Sequence, residues 1–547
     1  MKEFILKHIT ITTLLFIIVV GLFLRFYNLG SNPPGMHADE ADTGYTAYSL
    51  IKTGKDPYGN KWPLQFQGQA NNFRAPLYTY SVIPSVMFFG LSPFSERLPS
   101  AIFGTLSIIA IFFLTKSLFK SEKIGLIAAF LFAINPWNIL ISRTGLEVGL
   151  SLFLTFLGVA LFLYYSEKKD IKLIIISAFV FGLSFFSYHP AKIYVPLIIP
   201  VLLLYKYHFI KKRKKEFFIF LTIIGLFYVV MLNLAIFKNG AKEFDNVSIF
   251  DNTKAFENVN RDRHLTNASL GIASLFESKP IYYLQNIITG VVNPFSVNYL
   301  YLNGDSSLDK GLGKYGLYHI FELIFLLSGL YFLIKYKPKE VLLIAVLIFL
   351  SVIPGAITRT GYYTYRDIHL MPLIILIESF GAYHAFLYIK KNLSWWKYLL
   401  SIFVLLFFVF LSRFLYIYYF EYPVYSSPWW GSTQKEVFAY LKKNYQNDNR
   451  NIFVHGGSDW PVLYSFYSRI EPKKFQKSYQ ERTDKYIKID NYIFGHIVDN
   501  ENIFPARDLE KNSIFIIPGQ YFKESMPVLV FRNQVSSSVE TQLFITK

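Results

Sequence analysis

Continuous apolar runs separated by short basic loops dominate the first 420 residues, a pattern that predicts helices crossing a bilayer rather than helices with one wet face. A crossing takes about 20 largely apolar residues. Such runs lie at about 9–27, 98–115, 124–135, 148–165, 171–187, 191–205, 217–237, 318–334, 341–354, 369–389 and 398–418. Residues 76–91 (PLYTYSVIPSVMFFGL) are apolar enough to add another. A crossing there would reverse the side of every later loop, so the pattern predicts a re-entrant or surface-lying hairpin with breaks at Pro84 and Pro93. The alternative is a compensating crossing around 281–302. The first run follows Lys2 and Lys7 as a signal peptide would. It is long, however, ends in Arg25-Phe26-Tyr27 and has no small-residue cleavage site, which predicts a retained anchor.

Basic loops set the orientation, because cytoplasmic loops of membrane proteins collect Lys and Arg. Lys116, Lys120 and Lys123 share one loop, and Lys168, Lys169 and Lys172 another. The densest cluster is Lys206, Lys211, Lys212, Arg213, Lys214 and Lys215; Lys335, Lys337, Lys339, Lys390, Lys391 and Lys397 complete the series. Eleven spans put all of these and the N-terminus in the cytoplasm. Three hydrophilic pieces then face outward: a first outer loop at 28–74, a long loop at about 238–317, and a tail. The expected fold is a polytopic α-helical membrane protein of about 11–13 spans over residues 1–419, with a small soluble extracytoplasmic α/β domain at 420–547. In that tail Ser432–Asn444 reads as helix, and Asn451–His455, Ser513–Pro518 and Val528–Phe531 read as strands.

Composition sharpens this picture. Residues are 53% hydrophobic and 17% charged, against about a quarter charged in soluble domains, which excludes disorder and collagen-like repeats. Lys+Arg number 55 and Asp+Glu 37, a net charge of +18. In a soluble protein that surplus would suggest nucleic acid; here the cytoplasmic loops account for it, and no nucleic-acid partner is expected. The absence of cysteine excludes thiolate nucleophiles and thiolate metal sites.

Candidate chemistry gathers on the outer side. The first outer loop carries His37-Ala38-Asp39-Glu40-Ala41-Asp42, with Asp39 expected as the N-cap or in the first turn of a short helix over 40–53 ending at Gly54. A purely structural role, in which Asp39 and Glu40 cap that helix and complement its dipole, competes with a catalytic one. Glu147, in Arg143-Thr144-Gly145-Leu146-Glu147, sits at the outer mouth of the fourth span and supplies a second acid. Arg74, Arg97, Arg143, Arg359 and Arg366 also lie outward, against the positive-inside trend. Singly each reads as an interfacial anchor; together with the acids they suggest a phosphate-bearing, membrane-embedded substrate. His189 and Lys192, in Tyr188-His189-Pro190-Ala191-Lys192 at the outer mouth of the fifth span, are lesser candidates.

Several of these motifs, read in order, resemble the GT-C superfamily of membrane glycosyltransferases. They are His37–Asp42, Tyr58-Gly59-Asn60-Lys61-Trp62-Pro63-Leu64, Arg74-Ala75-Pro76-Leu77-Tyr78, Glu96-Arg97-Leu98-Pro99-Ser100, Asn135-Pro136 through Arg143 and Glu147, and Ile353-Pro354-Gly355 through Arg366 and Pro372. The likeness is to the protein O-mannosyltransferase and aminoarabinose-transferase branch, which uses polyprenyl-phosphate-linked sugars. It covers roughly the first 190 residues well and 350–385 more loosely.

The resemblance implies a GT-C fold and inverting transfer of a sugar from a polyprenyl-phosphate donor to an acceptor hydroxyl on protein, lipid or glycan, at the outer leaflet of the cell membrane. By motif, Asp39 matches the first-loop acid that activates the acceptor, Glu40 completes the pair, and Glu147 takes the second acid position, where the family often has Asp. Arg74 falls where the family sets a cation against the lipid phosphate. Arg366 is a second such cation, Arg97 and Arg143 are further ones, and His37, Tyr78, His189 and Lys192 are weaker substrate contacts. No cofactor is expected. His37, Asp39, Glu40 and Asp42 offer ligands for a divalent ion, such as oligosaccharyltransferases of this fold class use, yet carboxylates adjacent in sequence rarely converge on one ion without help from other loops. The competing functions are a ligase or polymerase with a polyprenyl-diphosphate donor, and a lipid-linked glycan transporter or flippase. A transporter predicts polar or broken helices at mid-bilayer, as the Pro- and Gly-interrupted stretch 182–200 allows, but the charges here cluster at one face.

Overall fold

A computed structural model describes residues 2–68, 73–237, 247–358, 363–445, 448–483, 486–495, 513–518, 529–532 and 539–545. Arg359 lies outside them.

All eleven expected apolar runs are helical. Helix α1 spans Lys2–Phe26, α2 Ala38–Thr53, α3 Pro76–Phe89 and α4 Pro93–Phe119. Seven described helices are long and apolar enough to cross a membrane: His8–Phe26 within α1, α4, Val148–Lys168, Lys214–Phe237, Pro338–Ala356, Leu370–Asn392 and Trp396–Tyr425. Helices Glu122–Ile134 and Pro136–Ser142, bent by 59° at the break, make an eighth if they form one span. Ile171–Ser184, Ala191–Tyr205 and Glu322–Tyr336 are the shorter remainder.

Two expectations change. Segment 76–91 is not broken at Pro84: α3 runs through it and stops at Gly90, whose φ of +72° suits glycine. Proline removes a single N–H donor from the helical ladder, and the turn is made where the left-handed residue sits. Residues 281–302 form the helix Lys279–Val292, then a 3-10 turn at Asn293–Phe295 and a π-turn at Asn298–Leu302.

The chain divides into two compact units that do not follow its linear order. The first holds Met1–Arg25, Ala101–Ser142 and Glu147–Leu415, and is built of packed apolar helices. Where Pro136 interrupts the helix before it, carbonyls lose their helical donors. Arg25 satisfies them: its fully buried guanidinium donates to Ala133 O at 3.0 Å and Phe132 O at 3.3 Å, and also to the Asn138 side chain. The arginine that ends the first apolar run is thus the cap of a broken helix.

The second unit holds Phe26–Ser100, Arg143–Leu146 and Tyr416–Lys547. Its tail forms a six-stranded sheet from β3 (Ile452–His455), β4 (Tyr486–Ile489), β5 (Tyr492–Gly495), β6 (Ile514–Pro518), β7 (Leu529–Arg532) and β8 (Val539–Ile545), in the order β4-β5-β3-β6-β8-β7. Central β3 pairs in parallel with β5 and β6; the remaining pairs are antiparallel. Ile452, Val454, Ile514, Ile516 and Leu543 form its buried face. The helices Asp459–Ser468 and Pro472–Gln480 pack on α2. Gly44 permits this approach, since a Cβ there would meet Phe466 at 2.8 Å and Glu96 at 3.0 Å.

Candidate active site

In the second unit the site begins at the start of α2. His37 is the N-cap: its Nδ1 accepts from Asp39 N–H at 3.2 Å while the Glu40 carboxylate accepts from His37 N–H at 3.0 Å, a reciprocal capping box. The helix therefore starts at Ala38, with Asp39 in its first turn.

The three acids of this turn have different surroundings. Glu40 is fully buried. Its Oε1 accepts from Arg97 Nε at 3.0 Å and Gly145 N–H at 2.7 Å, and its Oε2 from Arg97 Nη2 at 2.8 Å. Arg97 also donates to Pro33 O at 2.9 Å, Leu29 O at 3.4 Å and Gly35 O at 2.5 Å, which occupies every N–H of the guanidinium. Neither side chain has a position left for substrate, so the catalytic place expected for Glu40 and the phosphate contact expected for Arg97 give way to a clamp that ties 29–40, 97 and 145 together. Arg143 is likewise fully buried, donating to Tyr418 Oη at 2.8 Å and Asn32 O at 3.0 Å, with its charge over the Tyr418 ring at 5.3 Å. Tyr78 is buried and donates to Glu96 O at 3.0 Å. Both belong to the same frame.

Asp39 differs: 47% of its side chain is exposed, and its carboxylate lies 3.5 Å from His37 Nδ1. It is the accessible acid of the turn. Arg74, at the end of the two-residue strand β2 (Phe73–Arg74), which pairs antiparallel with β1 (Phe66–Gln67), approaches from the other side. Its guanidinium donates to Asp39 O at 3.2 Å and to the Thr43 hydroxyl, and pairs with Asp42 at 2.8 Å. Asp42 is buried, and desolvation lifts its carboxyl to about 6 despite Arg74. Asp56 accepts from Tyr58 N–H at 3.0 Å and Asn60 N–H at 2.8 Å, ordering the Tyr58-Gly59-Asn60 turn, and burial raises its carboxyl as well. Tyr58 is packed edge-on against Tyr479 at 4.6 Å.

In the first unit, Glu147 is the N-cap residue of Val148–Lys168. Lys192 lies within its electrostatic reach and 3.2 Å from His189 Nδ1, so Glu147 and the 189–192 segment come together. Arg366 donates to Thr358 Oγ1 at 2.7 Å and stacks over Tyr363 at 5.0 Å. Lys310, paired with Asp309 at 2.6 Å, lies over the same ring at 4.7 Å. Asp305 holds Thr364 N–H at 3.2 Å, and Asp367 accepts from Tyr363 N–H at 3.0 Å, its carboxyl pushed well up by burial.

Thr43, Asp305 and Lys310 are the residues that sequence reasoning missed, and Asp42 was read there as an offered metal ligand rather than as the partner of Arg74. The two-residue offset of Asp42 from Glu40 was the available signal, since it turns the two carboxylates to different sides of α2. Among the described residues no three His, Asp or Glu side chains are placed to hold a metal ion, and Glu40 and Asp42 already face arginines.

A family model described as dolichyl-phosphate-mannose-protein mannosyltransferase matches residues 74–234. No curated protein sequence matches the chain. Among solved structures, ArnT of Cupriavidus metallidurans, solved with undecaprenyl phosphate bound, aligns over 97% of this chain and 97% of its own with a TM-score of 0.54 at 10% identity. The oligosaccharyltransferase AglB of Archaeoglobus fulgidus, solved with an inhibitory peptide and a dolichol-phosphate, aligns over 84% of this chain with a TM-score of 0.50 at 13% identity. The chain spans 64% of that protein's length. These structural likenesses show a shared fold.

Proposed function

We propose that this chain, a multi-pass member of the GT-C superfamily of membrane glycosyltransferases, transfers a sugar with inversion from a polyprenyl-phosphate carrier to an acceptor hydroxyl at the extracytoplasmic face. The acceptor oxygen attacks the anomeric carbon, the bond from that carbon to the phosphate oxygen breaks, and polyprenyl phosphate leaves with the electron pair. The acceptor's proton passes to Asp39. One observation carries this reading: the half-exposed Asp39 carboxylate heads a turn whose backbone carbonyl is held by Arg74, so base and phosphate-binding cation are fixed by one hydrogen bond.

A sugar phosphate is already a good leaving group, so the catalytic demand is for charge stabilisation at the departing phosphate, supplied by Arg74. A positioned carboxylate base contributes about 10²–10⁴-fold. Glu147, with Lys192 and His189, orients acceptor or sugar, and Arg366 with Lys310 forms a second cationic patch for phosphate. The N-terminus is cytoplasmic, residues 1–419 are the membrane catalytic part, and 420–547 form an extracytoplasmic domain that positions the acceptor.

The test is incubation of purified chain with a panel of polyprenyl-phosphate sugars and hydroxyl acceptors, with and without chelator. Chelator-insensitive transfer from at least one monophosphate donor is expected. Transfer from polyprenyl-diphosphate glycans alone would replace this reading with a ligase.

A further inference from the structure

The two buried acid–arginine pairs of α2 are not equivalent. Glu40 and Arg97 are both fully buried and saturate one another and the surrounding backbone. The Asp42–Arg74 pair meets at 2.8 Å beside the Thr46 hydroxyl, with the arginine side chain 8% exposed and the aspartate 1%. The guanidinium is thus shared between the Asp42 carboxylate, the Thr43 hydroxyl and the Asp39 carbonyl at the edge of solvent. Two more carboxylates, Asp39 and Asp56, press on Asp42, and the hydroxyls of Tyr58 and Tyr479 feel its charge. Arg74 is the cation that faces Asp42.

We infer that Asp42 is a built-in competitor for the guanidinium of Arg74, holding the charge that the donor phosphate takes over and so limiting how tightly the spent carrier is retained. This rests on the reading of Arg74 as the phosphate-binding cation. The chemistry follows from the charges. A phosphate monoester offers Arg74 a bidentate partner stronger than a carboxylate. Each time it engages Arg74, the Asp42 carboxylate loses its counter-ion in a buried place, a cost that weakens binding. A weaker hold on polyprenyl phosphate speeds product release, which limits turnover in many enzymes. The raised proton affinity of Asp42 fits this role, because such a carboxyl takes a proton readily when its partner is withdrawn. Thr43 and the Asp39 carbonyl keep Arg74 in place meanwhile.

The experiment is binding of undecaprenyl phosphate to the full purified chain in detergent, with thermal midpoints recorded for each variant. Asp42→Asn is isosteric and removes the competing charge; Asp42→Ser does the same with a smaller side chain. Both are expected to bind roughly tenfold tighter and release more slowly, as removal of one opposing charge interaction predicts. Arg74→Gln is expected to bind at least roughly tenfold more weakly, and adding Asp42→Asn to it should restore nothing. A purely structural Asp42 would weaken binding when replaced. Weakened binding in Arg74→Gln with no tightening in either Asp42 variant overturns the competitor role alone. Unchanged binding in Arg74→Gln overturns the phosphate reading of Arg74, and the inference with it.

Discussion

Helix α2 offers two buried ion pairs side by side, and they teach different lessons. Around Glu40–Arg97 every donor and acceptor is matched by backbone or side chain, which is how a protein keeps a buried charge as scaffold. Around Asp42–Arg74 the arginine is at the edge of solvent and shared with Thr43 and the Asp39 carbonyl, and burial lifts the carboxyl to about 6. The saturated pair holds the loop; the pair at the edge of solvent is arranged to exchange partners. A fully buried arginine in a matching motif is therefore not by itself a ligand for phosphate.

The comparison breaks most visibly in stability. Arg97→Met leaves Glu40 buried without its partner and is expected to cost about 3–5 kcal/mol, read as loss of folded, monodisperse protein or a large fall in thermal midpoint; a small fall would deny the clamp. Next comes pH. Asp42 has a folded pKa of about 6 against an ordinary 3.8, so the folded state binds the extra proton. Its contribution is fully present below about pH 4 and is lost as pH rises through about 6. Relative to Asp42→Asn, the wild-type protein should lose up to about 3 kcal/mol between those limits, seen as converging or diverging midpoints; parallel profiles would remove the shift. The smallest effect is at Gln476, whose amide donates to Thr53 Oγ1 and Asp56 O, each at 3.0 Å. Gln476→Ala should cost about 1 kcal/mol and lower the midpoint slightly, marking how firmly the tail's helix holds the far end of α2.

Much of the fold was legible because periodicity and apolar length are local. The eleven runs, the helix Ser432–Tyr445 and strands β3, β6 and β7 needed no knowledge of distant residues. The start of the Asp39 turn was also legible, from its cap chemistry. What stayed hidden depends on pairs separated by long loops: Arg25 on the carbonyls at 132 and 133, Arg97 on Glu40, Gly145 N–H on the same carboxylate, and Lys310 on the Tyr363 ring that Arg366 also meets. An arginine's sequence neighbours do not say whether its five donors end on carbonyls or face a ligand. Pro84 misled for the opposite reason, since a local breaker was overridden by a helix that continues past it to Gly90.

The most direct measurement of the central claim is turnover of Asp39→Asn with an active polyprenyl-phosphate sugar. The amide cannot accept the acceptor's proton but keeps the shape of the turn, so the rate should fall about 10²–10⁴-fold while undecaprenyl phosphate binding and thermal midpoint stay at wild-type values. Wild-type turnover in that variant would show that the proton leaves by another route and that the accessible acid of α2 is not the base.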